Sequence, residues 1–403
     1  MSDIMTSTGR QTAGNRLAVL TIVAGGMIVL ASSMGIGRFV YTPILPVMAN
    51  ALDLSAAQTG LLASVNLVAY LAGAIAASSR FMRGSPHFWL IGGLVVLALS
   101  TIATGMVSNM PALIFMRVLA GASTAIALIF GMAIVTDRLA RLGRVSLAGL
   151  QFGGVGFGMV VSAVLVAWLT ASGFGWRSLW YAGGAAVVVG IVLTALLLPG
   201  GGEDRTASDN GEPLRGTGFI TMVLSYGLFG FGYIITATFI VAIVHDSERL
   251  AFLQPYIWMA VGLAGMPSTY LWNFVSARIG FAKMYAVGCI VEAIGVALSV
   301  STEIPVLIVL SAALLGGTMM ALTGSGFSHV REIATGSARR LFAVMTVSFS
   351  IGQVSGPIIA GWLYDLQGSF FWGSMAAVAA LILAAGLSLL SEAQARRASN
   401  IPA

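Results

Sequence analysis

The chain has 403 residues, 58% of them hydrophobic and only 8% charged, against about 25% charged in an average soluble domain. So few charges cannot clothe a water-facing surface, and the mean hydropathy of +0.95 excludes a soluble globular fold. The net charge of +6 has no soluble domain to gather on one face, which excludes a nucleic-acid surface, and a single cysteine, Cys289, excludes an intramolecular disulfide or a cysteine-based metal site.

The apolar residues fall into runs of about 20, the length a helix needs to cross a hydrocarbon layer about 30 Å thick. Twelve spans are predicted: 17–42, 58–79, 87–108, 111–136, 146–170, 178–199, 217–244, 253–275, 283–302, 304–328, 341–364 and 370–391. The runs are continuously apolar instead of alternating, so the spanning elements are helices and not barrel strands. The expected fold class is an all-α membrane protein. Arg10 and Arg16 before the first run give it the look of a signal peptide, but eleven further spans follow and it is read as retained.

Basic residues set the orientation, because positive loops stay in the cytoplasm. With the N-terminus inside, sixteen of the twenty Lys and Arg residues fall on the cytoplasmic side, Arg177 and Arg249 fall in outer loops, and Arg38 and Arg117 lie within spans. An even number of spans then puts both termini inside, in a cytoplasmic (inner) membrane.

A polar stretch rich in Asp, Glu and Arg, residues 200–216, separates the sixth and seventh spans and is read as a cytoplasmic linker between an N-terminal half, 1–199, and a C-terminal half, 217–403. The halves echo each other. Gly35-Ile36-Gly37-Arg38-Phe39 in span one matches Gly230-Phe231-Gly232-Tyr233-Ile234 in span seven at an offset of 195, and Pro111-Ala112-Leu113-Ile114 matches Pro305-Val306-Leu307-Ile308 at an offset of 194. Two six-helix halves related by repetition are the implied architecture. Glycines crowd spans five (Gly149, Gly153, Gly154, Gly156, Gly158) and eleven (Gly352, Gly356, Gly361), where small residues let helix backbones approach closely; static packing and rocking surfaces both fit this pattern.

These halves, the central linker, Arg117-x-x-x-Gly121 in span four, the Gly-rich fifth span and Gly173-Phe174-Gly175-Trp176-Arg177 before span six together resemble the major facilitator superfamily of transporters. Gly35-Ile36-Gly37-Arg38-Phe39-Val40-Tyr41-Thr42-Pro43 and Tyr226-Gly227-Leu228-Phe229-Gly230-Phe231-Gly232-Tyr233 look like its YbfB/YjiJ-type branch. The loop Ala77-Ser78-Ser79-Arg80-Phe81-Met82-Arg83-Gly84 departs from the family pattern, which places an acidic residue there. The resemblance implies that spans one, four, seven and ten line a central cavity with the solute near the midplane, and that Arg117 serves proton coupling or buried polar structure.

An ionisable group at membrane depth costs about 2.5–3.5 kcal/mol on insertion scales, so each one is a functional candidate. Arg38, Arg117 and Glu292 lie well inside spans. Arg38 shares a face with Met34, Tyr41 and Leu45; its planar fork suits a carboxylate, while backbone carbonyls freed around Gly35, Gly37 and Pro43 are the structural alternative. Arg117 continues into Gly121, Thr124 and Leu128. Tyr226 and Tyr233 face one way on span seven, and Thr318, Ser325 and His329 share a face of span ten; together they are candidates for an aromatic and polar wall opposite Arg38. Glu292, in the usually peripheral span nine, makes either a polar helix contact or a contact with lipid-edge water, or is a proton-carrying carboxylate, and His329, a residue type that titrates near neutral pH, is either an interfacial residue beside Arg331 and Glu332 or a second proton carrier.

No Gly-x-x-x-x-Gly-Lys-Ser/Thr phosphate loop occurs, so an ion gradient is the expected energy source. No His-Glu-x-x-His motif or clustered intramembrane carboxylates call for an enzyme, a cofactor or a metal. The expected function is secondary transport of a small organic solute, an anion by the two arginines, with protons as coupling ion, lipid as surroundings and a monomer as working unit. Export of amphipathic compounds, favoured by 19 methionines, and a transport-fold sensor without flux are the alternatives.

Overall fold

A computed structural model describes residues 2–77, 79, 82, 84–200, 216–335 and 338–399. The predicted linker lies almost wholly outside the described residues, as does most of the 78–83 loop.

The first span is two helices with a break. α1 (Ser2–Leu30) runs into a π-helical stretch, Ala31–Ile36, and resumes after a turn as α2 (Tyr41–Leu52). Gly37 N–H bonds Ser32 O at 3.0 Å and Phe39 N–H bonds Met34 O at 3.1 Å, both five residues back, and such wide turns mark functional sites in helices. Pro43 lies in the first turn of α2, where a missing N–H costs nothing. The span therefore continues to Leu52 and not to the predicted residue 42.

The other spans are α3 (Ala56–Ala77), α4 (Pro86–Thr104), α5 (Met110–Arg141), α6 (Gly153–Ala171), α7 (Trp176–Leu197), α8 (Phe219–His245), α9 (Gln254–Ile279), α10 (Phe281–Ser301), α11 (Pro305–Ile333), α12 (Ala338–Gln367) and α13 (Phe371–Ser399). Their starts follow local chemistry. Asn109 accepts the Ala112 N–H at 2.9 Å and caps α5, and Pro86, Pro111, Pro255 and Pro305 occupy first turns. Gly280 alone joins α9 to α10, at φ +83°, a left-handed angle that favours glycine.

Among the described residues, eleven helices are long and apolar enough to cross a membrane, the first counted as Arg16–Leu52. The remaining predicted span, the eighth, is α9, which is 26 residues long but carries Tyr256, Trp258, Tyr270, Trp272, Asn273 and Arg278, which lower its hydropathy. Its aromatic content suits membrane interfaces.

α1 begins and α13 finishes at one end of the bundle, the terminal end; α2, α3, α8 and α12 meet at the other, the distal end. α3 packs between α5 and α12, α6 against α9 and the π-helical stretch, and α8 between α12 and α13. Glycines make the close seams: a Cβ on Gly158 would lie 2.4 Å from Ala31 O, so the backbones of α6 and the π-helical stretch touch. Trp180, Trp258, Tyr226, Tyr285 and Phe229 are wholly buried, whereas Trp168, Leu196 and Val306 point outward, the arrangement a hydrocarbon solvent permits.

Candidate functional site

Beside the break in the first span, Arg38, Phe39, Tyr41 and Thr42 face Asn66 and Leu67 of α3, Arg117 of α5, and Ile234, Ala237 and Thr238 of α8 around a void of about 20 Å³, room for about one water. The two arginines are 6% and 3% exposed. No carboxylate among the described residues pairs with either.

The Arg38 guanidinium donates to Tyr233 Oη at 3.4 Å and lies 5.2 Å from the Phe39 ring centre and 5.3 Å from that of Tyr70. Tyr233 Oη also accepts from Gln353 Nε2 of α12, and its ring stacks on Phe229 at 5.2 Å and on Phe349 at 5.7 Å. The Arg117 guanidinium lies 4.7 Å from the Tyr41 ring centre and 6.0 Å from that of Trp180. Its Nε is buried with no partner. Tyr41 Oη is already committed to Thr59 O at 2.7 Å, and Asn66 Nδ2 donates to Arg117 O at 3.0 Å. Aromatic faces attract a cation but cannot accept its in-plane N–H bonds, so donor capacity remains at both guanidinium groups.

The structure thus brings Arg38, Tyr41, Arg117 and Tyr233 together. It does not bring the other predicted positions to this void. Thr124 donates to Ser33 O at 3.3 Å, tying α5 to the π-helical stretch. Tyr226 donates to Thr323 O at 3.1 Å and packs among Phe229, Phe327 and Phe349. Ser325 bonds Leu322 O of its own helix at 3.2 Å. The predicted wall of Thr318, Ser325 and His329 opposite Arg38 is therefore replaced by Tyr233 of α8, backed by Phe229, Phe349 and Gln353, because Thr318 turns to α10, Ser325 bonds its own helix and His329 lies beside α13.

Glu292 is not at the bundle edge. It is 0% exposed, and its Oε2 lies 3.0 Å from Thr318 Oγ1 while Oε1 has no partner. Thr318 Oγ1 is also 2.7 Å from Leu314 O. One hydroxyl proton cannot serve both acceptors, whereas a proton on Glu292 would satisfy the pair. His329 lies far down α11, with Nε2 3.2 Å from Ser391 Oγ and Nδ1 3.9 Å from Glu332. It lines a separate cavity of about 630 Å³ at the terminal end, with Glu332, Glu392 and Arg396.

Sequence reasoning missed Gln353, Asn66, Tyr70 and Trp180. Gln353 and Asn66 carried a signal, since an amide in mid-span obeys the same logic as an intramembrane charge. Tyr70 and Trp180 carried none, being ordinary span aromatics until the fold sets them beside arginine.

The bundle of long apolar helices with a buried polar cluster has the form of a multi-pass membrane protein. Residues 30–389 match the family described as "Uncharacterised MFS-type transporter YbfB", and the chain belongs to that family of the major facilitator superfamily. It is 24% identical over 366 residues, 85% of this chain and 86% of the other, to the 3-(3-hydroxy-phenyl)propionate transporter of Escherichia coli (strain K12). Its fold is similar to a mutant of the nucleoside transporter NupG (TM-score 0.69, 17% identity, 95% of this chain and 99% of that one). It is also similar to a bacterial homolog of the human lysosomal transporter Spinster in an inward-facing, unoccupied conformation (TM-score 0.68, 15% identity, 96% and 99% covered).

Proposed function

We propose that this transporter carries a small organic anion, of the size and aromatic character of a phenylpropionate, by alternating access and linked to protons. The observation that carries the reading is the pair of buried guanidiniums, Arg38 and Arg117, with no carboxylate partner among the described residues. A buried charge is expensive without a counter-ion, and a bound carboxylate supplies one. Phe39, Tyr70 and the stacked Tyr233 and Phe349 offer ring faces for an aromatic substituent, in keeping with the substrate named for the E. coli relative.

The void holds about one water, so substrate enters only when the spans move apart, with residues 1–199 and 217–403 as the two moving bodies. Glu292 is the proton carrier of this scheme, with Arg117 and His329 as further candidates. The working unit is a monomer in the inner membrane, surrounded by lipid, with the terminal end cytoplasmic.

The test is thermal unfolding of the purified protein with a panel of small organic acids, amines and neutral aromatics. A ligand at 100 times its Kd stabilises by about 2.7 kcal/mol. Acids alone should shift the transition, and Arg38→Gln should abolish the shift. A response to amines or neutral aromatics that survives Arg38→Gln replaces the anion reading with export of amphipathic compounds.

A further inference from the structure

The distal end is held by a contact of a different kind from the seams beneath it. α3 opens with a capping box: Ser55 N–H donates to Gln58 Oε1 at 2.9 Å, and Gln58 N–H donates to Ser55 Oγ at 3.2 Å. That leaves the N–H groups of Ala56 and Ala57 without helical partners. Both donate to one carboxylate, Asp365 of α12, at 3.0 Å each, and the Ser55 hydroxyl adds a third bond at 2.9 Å.

Asp365 reaches this position because glycines let α3 and α12 touch. A Cβ on Gly361 would fall 2.3 Å from Ala56 O, and one on Gly60 would fall 2.2 Å from Pro357 O. Next along the chain, Tyr364 bonds Asp246 at 2.8 Å and fixes the end of α12 to α8. Three donors and the positive end of a helix hold the carboxylate in place.

Hydrogen bonds between described residues of the first six and the last six spans include Arg38 with Tyr233, Thr42 with Ala237, Asn50 with His245, Ser64 with Val354, and the Asp365 set, and these run from Arg38 outward to the distal end. Only Asp365 is an ionisable carboxylate in that group. The contact is also one-sided: positions 195 residues away from Asp365 and Ser55 hold Thr170 and Leu250, which cannot form it.

We infer that Asp365 is a latch: its carboxylate completes the N-terminus of α3, holds the distal end shut, and releases each time that end opens. The inference rests on the alternating-access part of the proposed function and not on the substrate.

Single-cysteine labelling tests it. Cys289 is wholly buried, so a thiol placed at Ala63, which lines the central void, reports access when a membrane-impermeant maleimide is applied to either face of oriented vesicles. With the latch intact, the position 63 thiol should be shielded from the distal side. Asp365→Ala should speed its distal labelling about tenfold, equivalent to losing about 1.4 kcal/mol of contact, and Ser55→Ala, which removes one bond of three, should give a smaller rise. Glu303→Gln should leave the rate unchanged, because that carboxylate holds only Arg249 and Ser247 of neighbouring turns. A thiol at the exposed Glu248 should react equally in all backgrounds and reports folded, correctly oriented protein. Equal labelling of position 63 with and without Asp365, or an equal rise with Glu303→Gln, overturns the latch. A position 63 thiol that reacts from neither face in any background overturns alternating access with it. No substrate is present, so failure of the anion reading leaves the outcome untouched.

Discussion

Arg38 and Tyr233 are 195 residues apart and hydrogen-bonded at 3.4 Å, and 195 is the offset at which Gly35-Ile36-Gly37 repeats as Gly230-Phe231-Gly232. Thr42 with Ala237 and Asn50 with His245 are bonded at the same separation. Residues in matching positions meet each other, as they do across a two-fold axis. The repeat therefore places Tyr233, a neutral donor and acceptor, at the position matching the cation, and the polar centre is asymmetric: arginine from one side, an aromatic hydroxyl from the other.

This asymmetry predicts a graded effect at Tyr233. Tyr233→Phe keeps the stacked ring and removes only the hydroxyl shared by Arg38 and Gln353, so anion affinity should fall by about 1 kcal/mol, roughly fivefold. Gln353→Leu should cost less in the Tyr233→Phe background than alone, because the two share one oxygen. Isothermal titration of the four proteins of this cycle checks it, and strict additivity contradicts it.

At Arg117, stability and function should part. Removing a buried cation that has no counter-ion relieves its desolvation, so Arg117→Met should unfold at the wild-type temperature or above while losing the ligand-induced shift. Arg117→Lys should also fail in binding, since an ammonium has neither the planar fork nor the flat face that lies over Tyr41 and Trp180. Differential scanning fluorimetry with and without organic acid reads both quantities. A large drop in the unliganded transition of Arg117→Met would show that Arg117 is mainly structural.

Much of this was legible in the sequence, and the limit is instructive. Apolar run length gives the spans, because hydrocarbon thickness dictates it. The cost of burying charge singles out Arg38, Arg117 and Glu292. What a single chain cannot give is the identity of neighbours from distant spans: Thr318 looks like a cavity residue until α10 is seen to set Glu292 3.0 Å from it, and Gln353 looks like a polar interruption until it reaches Tyr233. The break in the first span was hidden for a related reason. Gly35, Gly37 and Pro43 permit a wide turn, but the close approach of Gly158 to Ala31 that accompanies it is a contact between distant spans.

Glu292→Gln should fold with little change, because the amide can donate to Thr318 as a protonated carboxyl would, yet solute uptake should lose its dependence on pH. Thr318→Ala leaves the same carboxyl without its hydroxyl partner and should destabilise by about 1–3 kcal/mol. Uptake measured across a pH series, beside thermal unfolding, checks both; pH-dependent uptake in Glu292→Gln assigns coupling to another group.

Gly158→Val should abolish or sharply reduce folded protein, since a Cβ 2.4 Å from Ala31 O forces two backbones apart and overpacking costs about 1–3 kcal/mol or more. Gly92, whose Cβ would meet nothing within 4 Å, should accept alanine with little loss. Yield and monodispersity on gel filtration distinguish the two.

The central claim, that two unpaired buried arginines bind an organic anion, is tested most directly by uptake of radiolabelled 3-phenylpropionate into proteoliposomes of the wild type and Arg38→Gln. The account predicts saturable uptake, competed by carboxylates of similar size and not by amines, and at least about tenfold lower in Arg38→Gln, the loss that corresponds to one charge-assisted contact. Failure to move the acid, with amines or neutral aromatics carried equally well by both proteins, would contradict it.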